Sequence, residues 1–524
     1  MTKQSFLKGT LILILAGFIT RILGFINRIV IARFIGEEGV GLYMMAVPTL
    51  VLVITITQLG LPVAISKLVA EAEAQGDQRK IKKILVVSLS ITGGLSVIFT
   101  PAIIFFAPLL AENIFTDERI IWPLLAITPV IPIVAISSVI RGYFQGKQNM
   151  RPAAVSQVLE QTIRISLVAI CTSAFLPYGI EYAAAGAMFS SVIGELISLI
   201  YLAAMFKVKK RKLKIRRNFF TSLKKGKDTF NQLMGIALPT TGSRLIGSIS
   251  WFFEPIVVAN SLAIAGVATA VATKQYGGLT GYALPLLMLP SFITYSLSTS
   301  LVPAISEAMA QNKLKLVEHR LQQAIRLSIV SGGLACVVLY IFAEPLMIVM
   351  YGNSQSAIFV QVLAPFFIFH YFQGPLQAVL QALDLARAAM INSLIGSAVK
   401  TALIFALATQ PSLGIMGAGL AIVIGMMLTT LLHFATVMKV VPFTIHVRSY
   451  LKSGITIVIS GFIGFLCYHN LIVQASLMPR LLISICVTTF IYCLFLIIFS
   501  LIERDEMKRI PFVGVHLAKL IPIK

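Results

Sequence analysis

Apolar runs of twenty or more positions recur along the chain, separated by short polar connections. The apolar stretches fall at roughly 9–33, 40–66, 84–110, 120–143, 153–176, 183–206, 232–258, 278–303, 325–349, 356–381, 388–409, 414–438, 453–473 and 480–502. About 20 helical residues at ~1.5 Å each suffice to cross the ~30 Å hydrocarbon core of a bilayer. The pattern therefore predicts an all-α integral membrane protein with fourteen transmembrane helices. Polar residues inside such segments are expensive and point to interiors or functional cavities.

Positive charge tests this scheme. Of the 43 Lys and Arg, 34 fall in the termini and alternate connections, beginning with Lys3, Lys8 and the Lys67–Lys83 stretch. Only Arg33, Arg119, Lys274 and Arg480 fall on the opposite side, and Arg21, Arg28, Arg164, Arg244 and Lys400 lie within spans. Cytoplasmic connections collect Lys and Arg, so both termini are expected in the cytoplasm. Eleven basic residues crowd 207–227. This reads as a cytoplasmic linker lying against anionic lipid headgroups.

An internal repeat flanks that linker. Ala64-Ile65-Ser66 matches Ala304-Ile305-Ser306, and Arg21-Ile22-Leu23-Gly24 matches Arg244-Leu245-Ile246-Gly247. Pro129, Gln145, Arg151 and Arg164 match Pro365, Gln381, Arg387 and Lys400, while Gly186 and Gly194 match Gly417 and Gly425. Spans 1–6 and 7–12 thus read as two parallel copies of a six-helix unit, an architecture that holds substrate at the repeat interface. The expected organisation is an N-lobe over 1–206, a basic linker over 207–231, a C-lobe over 232–438, and spans 13–14 with a cytoplasmic tail over 439–524.

Composition narrows the function. Hydrophobic residues make up 57% of the 524 and charged residues 12%, about half the charge of a soluble domain. The net charge of +23 sits mostly in membrane-flanking connections, so no nucleic-acid partner is implied. Cys171, Cys336, Cys467, Cys486 and Cys493 lie scattered in apolar stretches without ligand spacing, and neither metal nor cofactor is expected. No phosphate-binding loop, zinc motif or serine triad appears, so an enzyme is not expected. The first apolar segment carries no cleavage pattern of a secretory signal.

The candidate chemistry lies on helix faces. Gly17, Arg21, Gly24 and Arg28 form one stripe, and the repeat makes Arg244 the partner of Arg21. Two guanidinium groups facing one cavity form an anion site suited to phosphate, with Arg28, Lys400 and Arg164 as further cations. Pairing with acids or helix-end carbonyls is the alternative for Arg21 and Arg244, and reaching the outer interface is that for Arg28. Glu160 precedes Arg164 by four, the spacing of an intrahelical pair. Glu254, Glu160, Glu195 and His370 are candidates for ion coupling or helix pairing. Pro48, Pro62, Pro285 and Pro290 interrupt spans 2 and 8 and are hinge candidates.

TRILGFINRIVIARFIG (Thr20 to Gly36), GLYMMAVP (Gly41 to Pro48), GLPVAISKLVAEAEAQGD (Gly60 to Asp77) and RGYFQGKQNMRPAAVSQVLEQ (Arg141 to Gln161) carry a resemblance. It is to the polysaccharide-transport branch of the multidrug/oligosaccharidyl-lipid/polysaccharide exporter superfamily, and it covers essentially the whole chain. The resemblance implies a V-shaped, fourteen-helix protein of two six-helix lobes, with a role in spore cortex peptidoglycan synthesis. It also implies a bacterial cell membrane, in sporulation that of the forespore or mother cell. The branch includes the lipid II flippases, whose cavity is cationic; the arginine of their first-helix motif falls on Arg21. Their second cationic position falls on Asn27, beside Arg28, and their arginine pair falls in the uncharged Leu50–Thr57 region. The implied activity is alternating-access flipping of an undecaprenyl-pyrophosphate-linked peptidoglycan precursor. The rival expectations are a cation-coupled multidrug exporter, and a non-transporting scaffold for the membrane proteins of cortex synthesis.

Overall fold

A computed structural model describes residues 6–209, 226–444, 447–471 and 474–501, whose regular secondary structure is helical throughout. Most of the basic linker (210–225) and most of the C-terminal tail (502–524) lie outside the described residues. By packing, the chain divides into two units, up to Gly281 and from Tyr282 onward.

The first unit contains α1 (Phe6–Gln58), α2 (Leu61–Ala74), α3 (Gln78–Asn113), α4 (Ile121–Ile127), α5 (Val130–Gly146), α6 (Arg151–Phe175), α7 (Ile180–Lys209), α8 (Lys227–Ile264) and α9 (Thr269–Gly277). The loop expected between spans 1 and 2 is reduced to Gly36, whose φ of 66° and ψ of −176° break α1 between two helical runs. The helical stretch Leu15–Ala74 is 60 residues long. That is about 90 Å of helix, three times the hydrocarbon thickness, so the stretch holds more than one crossing. A second break falls at Leu59 and Gly60, with φ of 45° and 61°. At Gly60 a Cβ would also run into the Ala237 carbonyl and the Thr240 hydroxyl of α8, so the position needs glycine for both conformation and space. Around it, Leu61, Ala64, Ile65, Leu68 and Ile84 are buried with Leu233 and Ala237 in one apolar cluster.

The second unit contains α10 (Leu284–Met288), α11 (Ser291–Ala310), α12 (Leu314–Ile341), α13 (Ala343–Tyr351), α14 (Ala357–Leu363), α15 (Ile368–Ala382), α16 (Ala386–Ala408), α17 (Gly414–Met438), α18 (Val447–Leu466) and α19 (Leu477–Ile498). Leu301, Ile305, Leu321, Leu376, Val379 and Val437 bury its main cluster. Helices α18 and α19 dock on α12, where Tyr492 donates to the Val330 carbonyl at 2.9 Å and Gly333 makes room for the Tyr492 hydroxyl.

Among the described residues, twelve helices are long and apolar enough to cross a membrane, and thirteen when the bent pair Thr269–Met288 and Ser291–Ala310 is taken as one span. Leu15–Ala74 is one of the twelve and covers the first expected span from Leu15 onward and the whole of the second.

The sequence-matched helix pairs make matching contacts in the two halves. Gly186 abuts the Cys171 carbonyl as Gly417 abuts that of Leu407, and Gly194 fits against Glu160 and Arg164 as Gly425 fits against Gly396 and Lys400. The pairs α6–α7 and α16–α17 are thus packed in the same way, each glycine letting a backbone approach closely.

Candidate functional site

A buried cluster of ion pairs lies between α5, α6 and α7. Arg141, one turn from the end of α5, places Nη2 at 3.1 Å from Glu195 Oε1 on α7 and at 3.4 Å from Glu160 Oε2 on α6. The same nitrogen donates to Ser198 at 2.9 Å, and its Nε donates to Ser156 at 3.4 Å. Arg164 donates to Glu160 Oε1 at 2.7 Å, the i,i+4 pair that the spacing offered. Glu195 is 3% exposed and Arg141 16%. The close approach at Gly194 brings the backbones of α6 and α7 near enough for these short reaches. The cluster thus contains three of the expected site residues, Glu160, Arg164 and Glu195. Its organising cation, Arg141, was not among them.

Arg21 and Arg244 are both exposed, on α1 and α8 of the first unit, and Arg28 is half-buried. One turn beyond Arg244, the buried Ser248 hydroxyl meets Thr55 of α1 at 3.1 Å. Asn27 is buried, with its side-chain oxygen lacking a hydrogen-bond partner among the described residues. Glu254 is buried within electrostatic reach of the buried Tyr276. In the second unit, Lys400 is half-buried against Gly425, and His370 packs beside the rings of Phe367 and Tyr371.

Two of the hinge candidates follow a disturbed stretch. The turn Gly278–Ala283 is π-helical, Pro285 opens α10, and Pro290 caps α11 at a bend of 54°. Pro62 opens α2 directly after the Gly60 break, while Pro48 lies within the helical run of α1.

A second polar cluster lies where the charge asymmetry predicts the outer end of the first unit. Arg119 bridges Glu38 at 2.6 Å and Asp117 at 3.0 Å, and Thr273 of α9 donates to Asp117 at 2.7 Å. Burial raises the Asp117 pKa, but hydrogen bonds from Arg119 and Thr273 outweigh it and hold the carboxyl below its ordinary value. Beside it, Gly41 meets the Thr273 backbone and Gly277 meets the Glu37 carbonyl, so α1 and α9 touch backbone to backbone. An apolar groove of about 690 Å³ runs along α18, lined by Val447, Leu451, Ile455 and Val458.

A polysaccharide biosynthesis protein family model matches residues 6–309. The chain belongs to that family. A MatE model also matches residues 255–406. Stage V sporulation protein B of Bacillus subtilis is 66% identical over 98% of this chain and 99% of its own length. The lipid II flippase MurJ of the same organism is 24% identical over 94% and 95%. The solved inward-closed conformation of the lipid II flippase MurJ superposes with a TM-score of 0.71 at 17% identity, covering 93% of this chain and 98% of that one. This family member is an all-α, multi-pass membrane protein with a transporter fold, is related to a sporulation protein, and is not an enzyme.

Proposed function

We propose that this protein flips an undecaprenyl-pyrophosphate-linked peptidoglycan precursor by alternating access, in spore cortex synthesis. The repeat-related arginines carry the reading: Arg21 and Arg244 occupy matching positions in membrane helices, and both are exposed. A guanidinium exposed in such a helix is costly in lipid and favourable against an anion. In this reading the pyrophosphate meets Arg21 and Arg244, with Arg28 and Lys400 as further cations. Arg164 contributes less, because Glu160 already takes its charge. The prenyl tail lies in the apolar groove along α18.

The similarity to stage V sporulation protein B supports the sporulation setting, and that to the lipid II flippase supports a lipid-linked substrate. Fourteen crossings follow if Leu15–Ala74 crosses twice, with both termini cytoplasmic and spans 1–6 and 7–12 as the two lobes. Bending at Pro285 and Pro290 would let span 8 follow the lobes. A drug exporter for cations is disfavoured by the basic character of the exposed mid-span charges.

Binding of undecaprenyl pyrophosphate to the purified protein, with undecaprenol as control, tests the headgroup assignment. The diphosphate binds at least tenfold more tightly, and Arg21→Ala and Arg244→Ala each remove most of the difference. Equal affinity for the two lipids refutes the anion site.

A further inference from the structure

The ion cluster of the first unit is not required by the packing that surrounds it. Carrying the repeat through, Arg141, Glu160 and Glu195 correspond to Gln377, Gly396 and Met426. The α16–α17 pair nonetheless makes the same glycine contacts as α6–α7, with none of these three charges. Buried ion pairs seldom stabilise more than an apolar replacement does, so their presence on one side only points to a use.

The geometry is also uneven. Arg164 meets Glu160 at 2.7 Å, the length of a full charge-assisted bond, whereas Arg141 divides one nitrogen between two carboxylates at 3.1 and 3.4 Å. Glu160 therefore has one cation of its own and a share of a second, while Glu195 has only a share of one. The fully buried Ser137 hydroxyl faces the Glu195 carboxylate without closing a hydrogen bond of normal geometry.

We infer that Glu195 is a proton-binding site, whose protonation lets Arg141 turn wholly to Glu160 and loosens α7 from α5. A hydronium ion in the water that reaches the partly exposed Arg141 gives its proton to the Glu195 carboxylate and departs as a neutral water. Both guanidinium groups keep their protons. Two Arg and two Glu make the cluster neutral beforehand and leave it with one net positive charge afterwards. Protonation relieves the repulsion between two carboxylates that share a donor. The charged groups placed against Glu195 are Arg141 from α5 and Glu160 with Arg164 from α6. Helix α4 has no ionisable residue, and α1, which also packs on α7, carries Lys8, Arg21, Arg28, Arg33, Glu37, Glu38 and Tyr43. The inference deepens the transporter reading and rests on it for the use of the proton, but not for its binding.

Infrared difference spectra of the full-length protein in lipid nanodiscs, stepped from about pH 9 to about pH 5, read the site directly. One carboxylic acid carbonyl band should grow in on acidification, vanish in Glu195→Gln, persist at a shifted frequency in Glu195→Asp, and change midpoint in Glu160→Gln. A spectrum unchanged by Glu195→Gln overturns the inference, as does the absence of any titrating carboxylic acid band. If Glu195→Gln does not fold, Ser137→Ala decides: a moved midpoint supports the assignment and an unmoved one overturns it. A protein that shows the band but translocates no lipid removes the flippase reading alone. One that translocates lipid without the band removes the proton site alone.

Discussion

Replacing Arg141 by Met keeps most of the side-chain volume and deletes the charge that joins α5 to α6 and α7. Glu160 still holds Arg164 at 2.7 Å, so the loss falls mainly on Glu195, buried to 3% exposure and stripped of the cation brought to it. Removing one partner of a buried ion pair costs about 3–5 kcal/mol. Arg141 retains 16% exposure and water reaches it, which places the expected loss near the lower end, about 3 kcal/mol. Glu195→Leu in the same background removes the orphaned charge, and the double variant should fall within about 1 kcal/mol of the parent. Reversible unfolding of the four proteins in mixed micelles gives the double-mutant cycle, with a coupling of about 2–3 kcal/mol. Additive losses, or a single-variant loss below about 1 kcal/mol, would refute the reasoning.

Gly277→Ala should destabilise by about 1–3 kcal/mol, since the new methyl meets the Glu37 carbonyl and the Gly41 backbone, neither of which is a flexible side-chain end; thermal unfolding in detergent measures it. Asp117 has its folded pKa below the ordinary 3.8, so its stabilisation is fully present above that value and is lost as pH falls through the lower folded one. Hydrogen exchange of α9 should therefore quicken below about pH 4 in the parent, while Asp117→Asn exchanges fast at all pH values; a flat parent profile counts against the bridge. Gly425→Leu should push against Gly396 and the Lys400 stem and destabilise the second unit, as Gly194→Leu does the first, and similar losses in thermal unfolding check that the two helix pairs are packed alike.

The fold was largely legible because apolar length and positive charge are local signals, read without knowing what touches what. Where the reading and the structure differ, the cause is backbone geometry. A single glycine at Gly36 breaks the helix where the gap between the expected spans 9–33 and 40–66 implied a loop, so the two spans join in one helical stretch. The Glu160–Arg164 pair was legible because it sits on one helix at a fixed spacing. Arg141 was missed for the opposite reason. It lies near the end of a span among Lys147 and Arg151, where topology alone explains a basic residue, and its partners are 19 and 54 positions away with no periodic mark. The repeat held the missing signal, since a charge in one copy that the other replaces by Gln, Gly and Met is a difference that packing does not demand.

The central claim is that Arg21 and Arg244 handle the anionic headgroup of a translocated lipid. The direct measurement is movement of a labelled undecaprenyl-pyrophosphate-linked precursor across vesicles that contain the full-length protein, compared with Arg21→Ala and Arg244→Ala at equal incorporation and unfolding temperature. The account predicts translocation by the parent and at least a tenfold loss in each variant. Undiminished translocation by both variants, or none by the folded parent under any ion gradient or membrane potential, would contradict it.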